Sequence, residues 1–566
     1  MRFIRENYLL LVIIFIGIAL RLWGLGFGLP YQFHQDEPII VNHALAYGAG
    51  DFNPHFFIIP PLTSYILFFF YGVYFLTLNV FGATKGLETF AISFFKDPTF
   101  FYLIGRAAIG LLPSAFNIYL TYRLALKFFS KRAALYSAFL MSVFFLNVVN
   151  GHYVYTDNLL VLFILLTYLA MSRLIQRPAA GNYIASAVLI GISVAIKYNS
   201  AVLIVPFFVA HFIVNRGRPL RNIVFNCNLL LALVFIPLVF IICNPFSIID
   251  WRFFLLSVTG KIRHCYVGWS HHVIYSMFQG LGIIPTILAI AGFLYAFIKI
   301  DKKILFLVAF PVIFYMHLVF ASQPFSRYVL ALIPFISIIL GFFIYDYLYP
   351  KLRARVFKIA AILASVAIIM PTAIKSVKAD ILFSRPDTRA EAAAWIERNI
   401  PAFSKIAFDN TSYTPQLKQT KAQLEDKYRI ADIQPGLGLL KRKKLGFQLK
   451  AIEGGKAYEV YYLGEGSEFA GQFFNLWPII KNNLAELKKR NIEYVVFNNM
   501  TNLESTRQLY TDITNRYKPV AVFNPYKESK FRRPYDEIAT TCLPILGKEL
   551  FSREKNGPYI IIYKIR

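Results

Sequence analysis

The sequence predicts a polytopic α-helical membrane protein with about eleven transmembrane helices and a C-terminal soluble α/β domain. Of its 566 residues, 57% are hydrophobic and 17% aromatic, and the mean hydropathy is +0.52. A soluble domain of this size does not carry so apolar a composition. Acidic residues are unevenly placed, because residues 1–375 contain only 10 of the 31. We therefore expect a transmembrane domain over 1–375 and a soluble domain over 376–566.

The net charge of +28 would suggest a nucleic-acid partner if the protein were soluble. Here most cations of the first part lie in short loops between apolar runs, where they set topology. We therefore expect a lipid bilayer as partner and no nucleic acid. The four cysteines, Cys227, Cys243, Cys265 and Cys542, show no CxxC spacing, so neither a zinc ribbon nor a disulfide framework is indicated.

Apolar runs alternate with cationic loops, and this alternation gives an orientation. Arg2 and Arg5 hold the N-terminus in the cytoplasm, so the first span delivers the loop after it to the outside. An odd number of spans then places the C-terminal domain outside as well. The expected spans are 8–29, 102–126, 133–149, 157–174, 182–197, 199–215, 223–243, 279–298, 304–321, 328–347 and 355–374.

The apolar run 62–81 conflicts with this parity. Hydropathy alone makes it a span, yet the four cations of residues 123–132 require the span before them to end inside. A compensating crossing by 86–101 would have to carry Glu88, Lys96 and Asp97. We therefore expect 62–81 to lie in the outer leaflet or re-enter it, within a first extracytoplasmic loop that covers 31–101.

Helical and strand patterns alternate in the soluble part. The expected elements are helix Asp387–Asn399, strand Lys405–Phe408, helix Asn482–Arg490 and the strands Tyr494–Phe497, Pro519–Phe523 and Tyr559–Tyr563. Residues 410–480 are polar and contain glycine. Their run Lys441–Lys444 is typical of a solvated face, with contact to anionic lipid as the alternative.

The candidate chemistry lies at the outer face, where Asp36 and Glu37 follow the first span directly. Two adjacent carboxylates beside an apolar slab repel one another, which favours proton uptake by one of them and suits acid/base catalysis. The alternative is a pair of solvated loop acids. None of the ten acids of the membrane part lies at mid-membrane, which argues against an ion-coupled transporter.

Four further outer-face residues are candidates for substrate binding: Arg106, Asp157, Lys197 and Arg327. Asp157 could instead cap the helix that follows it, and Lys197 could simply snorkel at a helix end. An acid pair with separate Lys and Arg side chains suits a polyprenyl-phosphate reaction. Cations would hold the departing phosphate while a carboxylate takes the proton of the acceptor.

Seven segments, in this order, carry a family resemblance over residues 1 to about 410. They read RLWGLGFGLPYQFHQDEP, PPLTSYIL, GRAAIGLLPSAF, YTDNLL, GISVAIKYNS, RYVLALIP and DTRAEAAAWIERNIP. The set resembles GT-C glycosyltransferases of the protein O-mannosyltransferase and aminoarabinose (lipid A) transferase-like family.

The resemblance implies a GT-C fold and the transfer of a sugar, with inversion, from a polyprenyl-phosphate carrier to an acceptor outside the membrane. It implies that Asp36 is the catalytic base with Glu37 as its partner. It further implies carrier-phosphate contacts at Lys197 and Arg327, and structural or sugar-side roles for Arg106 and Asp157.

One departure concerns metal. Many relatives have His or Lys directly before Pro-Pro, where this chain has Ile59, with His55 nearby. We therefore assign no metal ligand, at His271-His272 or elsewhere, and leave a divalent cation only as an optional cofactor.

The expectation is thus a multi-pass protein of the plasma membrane with a cytoplasmic N-terminus. Its partners would be a polyprenyl-phosphate-linked sugar and an extracytoplasmic acceptor, which is a protein, a lipid or a glycan. The alternative is a lipid-linked sugar flippase, which predicts a cavity open to each side in turn and no need for Asp36 as a base.

Overall fold

The computed structural model describes residues 2–259, 268–320, 325–411, 413–431, 438–452, 454–464, 469–470, 476–499, 503–528 and 547–566. Cys265 and Cys542 lie outside these residues, and the other two cysteines are free. Helices make up the first 383 residues almost entirely, and the strands of the described chain begin at Lys405. The predicted fold class, a polytopic helical membrane protein with a C-terminal α/β domain, is confirmed.

The helices of the first part are numbered in chain order. They are α1 Arg2–Leu22, α2 Glu37–Tyr47, α3 Leu62–Val80, α4 Leu87–Lys96, α5 Thr99–Gly105, α6 Leu112–Phe128, α7 Lys131–Val143, α8 Phe145–Asn150, α9 Thr156–Gln176, α10 Ala180–Ile196, α11 Ile204–Val214, α12 Leu220–Val224, α13 Cys227–Cys243, α14 Phe246–Ile249, α15 Trp251–Thr259, α16 Phe278–Gly280, α17 Ile283–Ile298, α18 Lys302–Val319, α19 Ile333–Phe342, α20 Arg355–Ala367 and α21 Met370–Phe383.

Short turns of other helix types join several of these. Three π-helical turns are Arg106–Leu111, His272–Met277 and Phe343–Leu348, and three 3₁₀ turns are Tyr198–Leu203, Ser326–Leu332 and Tyr349–Lys351. Two of them hold candidate site residues, because Arg106 opens the first π turn and Arg327 lies in the second 3₁₀ turn.

Among the described residues, seven continuous helices are long and apolar enough to cross a membrane. They are Leu62–Val80, Thr99–Phe128, Thr156–Gln176, Leu220–Cys243, Lys302–Val319, Ser326–Lys351 and Arg355–Asn399. The pair His272–Gly280 and Ile283–Ile298, bent by 119°, would be an eighth span if it counts as one. Shorter apolar helices are Asn7–Leu22, Ala180–Ile196 and Tyr198–Val214.

These helices correspond to ten of the eleven expected spans. The eleventh, 133–149, is broken at Phe144 into α7 and α8, and most of it is buried between other helices. It packs against α1, α6 and α19. Because its environment is protein, a backbone break there is tolerated where a lipid-facing helix would expose unpaired groups.

Helix α3 covers the run that posed the parity conflict. Leu67 and Tyr71 are buried against α2 and α5, whereas Phe69 and Val80 are 66% and 81% exposed. The Tyr71 hydroxyl donates to the Phe101 carbonyl at 3.1 Å. Its position along the outer leaflet stays a prediction.

The α/β domain begins after α21, which runs eight residues past the predicted boundary at 375. Its helices are α22 Thr388–Asn399, α23 Lys421–Ala431, α24 Gly438–Lys450, α25 Leu484–Lys489, α26 Leu503–Arg516 and α27 Gly547–Ser552. Its strands are β1 Lys405–Phe408, β2 Glu459–Leu463, β3 Phe469–Ala470, β4 Trp477–Ile480, β5 Tyr494–Asn498, β6 Pro519–Phe523 and β7 Ile560–Lys564.

The strands form one seven-stranded sheet in the order β3-β4-β2-β1-β5-β7-β6. The four strands β4, β2, β1 and β5 are parallel, while β7 runs antiparallel to β5 and β6. Strand β1 lies at the centre, with Ala407 paired to Tyr461 on one side and to Val495 on the other. Three buried residues of β1, Ile406–Phe408, fill the space between helices and sheet.

The basic run of α24 is less solvated than expected. Lys441 is buried, Arg442 and Lys444 are half-buried, and only Lys443 is exposed. The reason is that α24 lies against α23 and α4. The prediction of a solvated face is therefore wrong for most of the run.

The α/β domain also contacts the loop between α1 and α2. Gln32 and Gln416 exchange two hydrogen bonds: the Gln32 amide donates to Gln416 Oε1 at 3.0 Å, and Gln416 Nε2 donates to the Gln32 carbonyl at 2.9 Å. Arg389 of α22 donates to the Phe33 carbonyl at 3.2 Å and stacks on the Phe33 ring at 4.1 Å. The loop with the predicted acids is thus held from both parts of the chain.

Candidate active site at the outer ends of the helices

Four of the six predicted site residues form one chain of alternating charge. Arg327 Nη1 donates to Asp36 Oδ2 at 2.7 Å, and Arg327 Nε lies 3.7 Å from Asp157 Oδ2. At the far end, Lys197 Nζ donates to Asp157 Oδ1 at 2.6 Å. The order Asp36, Arg327, Asp157, Lys197 brings together residues up to 291 positions apart in the sequence.

The two ends of this charge chain are the accessible ones. The side chains of Asp36 and Lys197 are 22% and 18% exposed, whereas those of Arg327 and Asp157 are 4% and 7% exposed. Arg327 Nε and Asp157 Oδ2 are buried and form no hydrogen bond with any described residue. These two atoms face each other in the ion pair at 3.7 Å, which is too long for a hydrogen bond.

The side chains of the charge chain lie at or near points where regular helices begin or end. Lys197 lies in extended backbone between α10 and the 3₁₀ turn that begins at Tyr198, and Asp157 lies in the first turn of α9. Asp157 bonds Lys197 instead of capping α9, and Lys197 turns to Asp157 instead of snorkelling. Asp36 is the residue at the N-terminal cap of α2, but its carboxylate makes no capping bond and is left for Arg327.

The remaining two predicted residues, Glu37 and Arg106, form a separate ion pair. Arg106 Nε and Nη2 donate to the two oxygens of Glu37 at 2.9 and 2.8 Å, and both side chains are fully buried. The Val154 amide also donates to Glu37 Oε1, at 3.1 Å. Arg106 Nη1 donates to the carbonyls of Leu25 and Phe27.

The two adjacent acids are thus not a like-charge pair that shares one site. Burial alone would raise the pKa of Glu37, but the Arg106 guanidinium holds that pKa below its usual value. The expectation that repulsion leaves one acid proton-binding is therefore wrong for Glu37. The physical reason is that each acid has its own arginine, one of them from a distant helix.

Aromatic rings that were not predicted as site residues surround the cations. Arg327 stacks on the rings of Tyr155 and Phe325, each at 4.4 Å, and Lys197 Nζ lies 4.5 Å from the centre of the Tyr328 ring. Such contacts stabilise a partly desolvated cation. The sequence signal for these two tyrosines is their position in the motifs YTDNLL and RYVLALIP, where Tyr155 lies two residues before Asp157 and Tyr328 directly follows Arg327.

The polar side chains of the loop before Pro60-Pro61, the candidate metal site, pair with one another or with nearby side chains. His55 Nε2 lies 2.9 Å from Asp51 Oδ2, and Asn53 donates to Asp250 at 3.1 Å. His272 Nδ1 lies 3.0 Å from Ser276 Oγ. In the part of the chain that the structure describes, no three His, Cys, Asp or Glu side chains converge as metal ligands do.

Comparisons with known proteins agree with this architecture. The family model of dolichyl-phosphate-mannose-protein mannosyltransferases matches residues 104–241. No curated protein sequence matches the chain.

Among solved structures, ArnT from Cupriavidus metallidurans bound to undecaprenyl phosphate is similar with a TM-score of 0.51 and 12% identity, over 98% of both chains. The apo form of ArnT gives a TM-score of 0.49 with 13% identity over 97% of both chains. The oligosaccharyltransferase of Archaeoglobus fulgidus gives 0.46 with 13% identity, over 88% of this chain and 70% of that one.

The likeness to ArnT with bound carrier shows that the fold of this chain is shared over nearly its whole length. The family match lies within the membrane part, and it includes Arg106, Asp157 and Lys197. The resemblance predicted from sequence motifs is therefore confirmed.

Proposed function

We propose that the protein is an integral membrane glycosyltransferase that moves a hexosyl or pentosyl group from a polyprenyl-phosphate carrier to the hydroxyl of an extracytoplasmic acceptor. The observation that carries this proposal is the charge chain, in which an accessible carboxylate and two cations lie at the ends of apolar helices. Support comes from the mannosyltransferase family match and from the undecaprenyl phosphate bound to ArnT, whose fold is the same.

In this proposal Asp36 is the base. Its carboxylate takes the proton of the acceptor hydroxyl, the acceptor oxygen forms a bond to C1 of the sugar, and the bond from C1 to the phosphate oxygen breaks. The electron pair leaves with the polyprenyl phosphate, and attack from the opposite face inverts C1. A hydroxyl is a weak nucleophile at neutral pH, so removing its proton is where a carboxylate contributes most.

Lys197 and Arg327 hold the departing phosphate in this proposal. Arg327 Nε, which has no hydrogen-bond partner among the described residues, is a donor that a phosphate oxygen can use. Lys197, at the accessible end of the chain, supplies a second positive charge. Asp157 lies between them and sets their spacing by contacts to both.

Glu37 and Arg106 are positioning residues in the proposal, not catalytic ones. A fully buried carboxylate whose oxygens accept from Arg106 and Val154 cannot reach a substrate hydroxyl. The pair fixes the start of α2 against the π turn at Arg106. We also propose a location in the plasma membrane, with the N-terminus inside and the α/β domain outside.

The test is the Asp36→Asn variant, assayed in purified form with a panel of polyprenyl-phosphate sugars for release of free carrier phosphate. Asn keeps the shape and removes the base, so turnover should fall by a factor on the order of a hundred to ten thousand. Asp97→Asn is the matched control, because Asp97 is an exposed outer-loop acid that caps Thr99. Near-normal transfer by Asp36→Asn would overturn the assignment of the base, and carrier translocation without transfer would favour the flippase.

A further inference from the structure

His34 lies two residues before Asp36 and is only 3% exposed. Its ring packs on Tyr153 with 4.1 Å between ring centres. Its Nδ1 accepts hydrogen bonds from two successive backbone amides, those of Asp36 at 3.2 Å and Glu37 at 3.3 Å. These amides are among the first of α2, and such amides have no partner within their own helix.

The geometry fixes the tautomer of His34. Two N–H groups point at Nδ1, so Nδ1 carries a lone pair and the hydrogen of the neutral ring is on Nε2. Nε2 is buried and forms no hydrogen bond with any residue that the structure describes. The hydrogen bonds of this imidazole to described residues are therefore the two that Nδ1 accepts.

The charge around His34 also favours the neutral ring. Asp36 and Glu37 on its own segment would stabilise an imidazolium, whereas Arg106 and Arg327 from other elements oppose it. Burial has the largest effect and lowers the pKa of His34. Protonation at Nδ1 would set an N–H against both amides, so the contact exists only with the neutral ring.

From these contacts we infer that His34 is a positioning residue for the base, and this inference rests on the proposed function. The carboxylate of Asp36 does not cap α2, so the cap is supplied by His34. The cap fixes the backbone at Asp36 and Glu37 and therefore the direction in which each side chain leaves. One side chain then meets Arg327 and the other meets Arg106.

Three substitutions of His34 distinguish the effect of a hydrogen-bond acceptor at the position of Nδ1 from the effect of side-chain size. His34→Asn places a side-chain oxygen where Nδ1 lies, His34→Gln places it one bond farther, at the position of Nε2, and His34→Ala removes it. We expect His34→Asn to retain most of its turnover. His34→Gln and His34→Ala should lose turnover on the order of ten- to a hundredfold, with an unchanged KM for carrier.

Hydrogen exchange of the peptide that contains Asp36 and Glu37 gives a second readout that needs no activity. These amides should exchange as slowly in His34→Asn as in the wild type, and faster in His34→Gln. If the wild type transfers no sugar, the proposed function fails. Hydrogen exchange of the Asp36 and Glu37 amides still tests whether His34 holds the start of α2. Equal turnover and equal exchange in the Asn and Gln variants would overturn the inference, even if His34→Ala does not fold.

Discussion

At the scale of single residues, the site keeps cations partly out of water and pairs each with a carboxylate. Arg327 contacts Asp36 and Asp157, and Lys197 contacts Asp157. A buried ion pair is weak support for stability, because desolvation offsets the attraction. Under the proposed function, a ligand phosphate would replace one of these partners.

The cations give the first prediction. Lys197→Ala and Arg327→Ala should each weaken carrier binding by about 1.5–3 kcal/mol, roughly ten- to a hundredfold, because each loses a charge-assisted hydrogen bond to phosphate. Binding of a polyprenyl phosphate to the purified variants measures this. The control is Lys96→Ala, since Lys96 is exposed on the outer helix α4. Variants that bind carrier as tightly as the control would show that the cations serve only their ion pairs.

Glu37 gives a prediction about stability and pH. The folded-state pKa of Glu37 is lowered, so its ion pair contributes stability above the unfolded value of 4.5 and loses it as pH falls through the folded pKa. At pH 7, Glu37→Gln should be destabilised by about 3–5 kcal/mol, because Arg106 is left buried without its counter-charge. The difference in thermal midpoint between variant and wild type should begin to shrink as pH falls below the unfolded value of 4.5, and it should be lost through the folded pKa. A difference that stays constant from pH 7 down to the lowest pH at which the protein remains folded would contradict the ionised state of Glu37.

Sequence patterns could predict the six site residues but not their grouping. Asp36 and Glu37 are neighbours in the chain, yet they lie at the start of a helix, where successive side chains point in different directions. One meets Arg327 and the other Arg106, and no local pattern reveals partners so far along the chain. Motif order therefore indicated the candidate residues, while their division into an accessible acid and a buried one required the fold.

At the scale of elements, sequence patterns predicted the helices and strands whose hydrophobic periodicity is regular. Strand β1 matches its predicted bounds, and α22 begins one residue after the predicted helix start Asp387, whose side chain accepts from the Arg389 amide at 2.9 Å. Strands β2 and β4 were missed because each is short and lies in a polar region that contains lysine and glycine. The break at Phe144 was missed because neither Pro nor Gly marks it.

The contact between α22 and the acid loop gives the next prediction. Arg389 binds the Phe33 carbonyl three residues before Asp36, so Arg389→Ala should loosen the loop and lower turnover by about tenfold or more. Arg398→Ala is the matched control on the same helix, because Arg398 is exposed and, among the described residues, its side chain donates to Ala394 of its own helix. Steady-state kinetics of the two variants test it. Equal kinetics would show that the acid loop does not depend on the α/β domain.

At the scale of the whole molecule, orientation is the property that the fold leaves to experiment, and the cationic loops predict it. In a cysteine-free background, Lys85→Cys after α3 and Ala485→Cys in α25 should both react with an impermeant thiol reagent added outside. Arg177→Cys, after α9, should react only when the membrane is opened. All three positions are exposed. Labelling of Lys85→Cys from inside would make α3 a full crossing, and inside labelling of Ala485→Cys would overturn the orientation.

The hydrogen bond between Arg327 and Asp36 joins the two groups that the proposed substrates would need, the cation for the phosphate and the carboxylate for the acceptor hydroxyl. While Arg327 Nη1 donates to Asp36 Oδ2 at 2.7 Å, this hydrogen bond occupies a lone pair that an acceptor hydroxyl could use. Under the proposed function, an arriving phosphate competes for the same guanidinium, and its arrival would release the carboxylate. An acceptor that binds first therefore meets a carboxylate that still accepts a hydrogen bond from Arg327. Productive turnover would follow a compulsory order in which the lipid carrier enters before the acceptor.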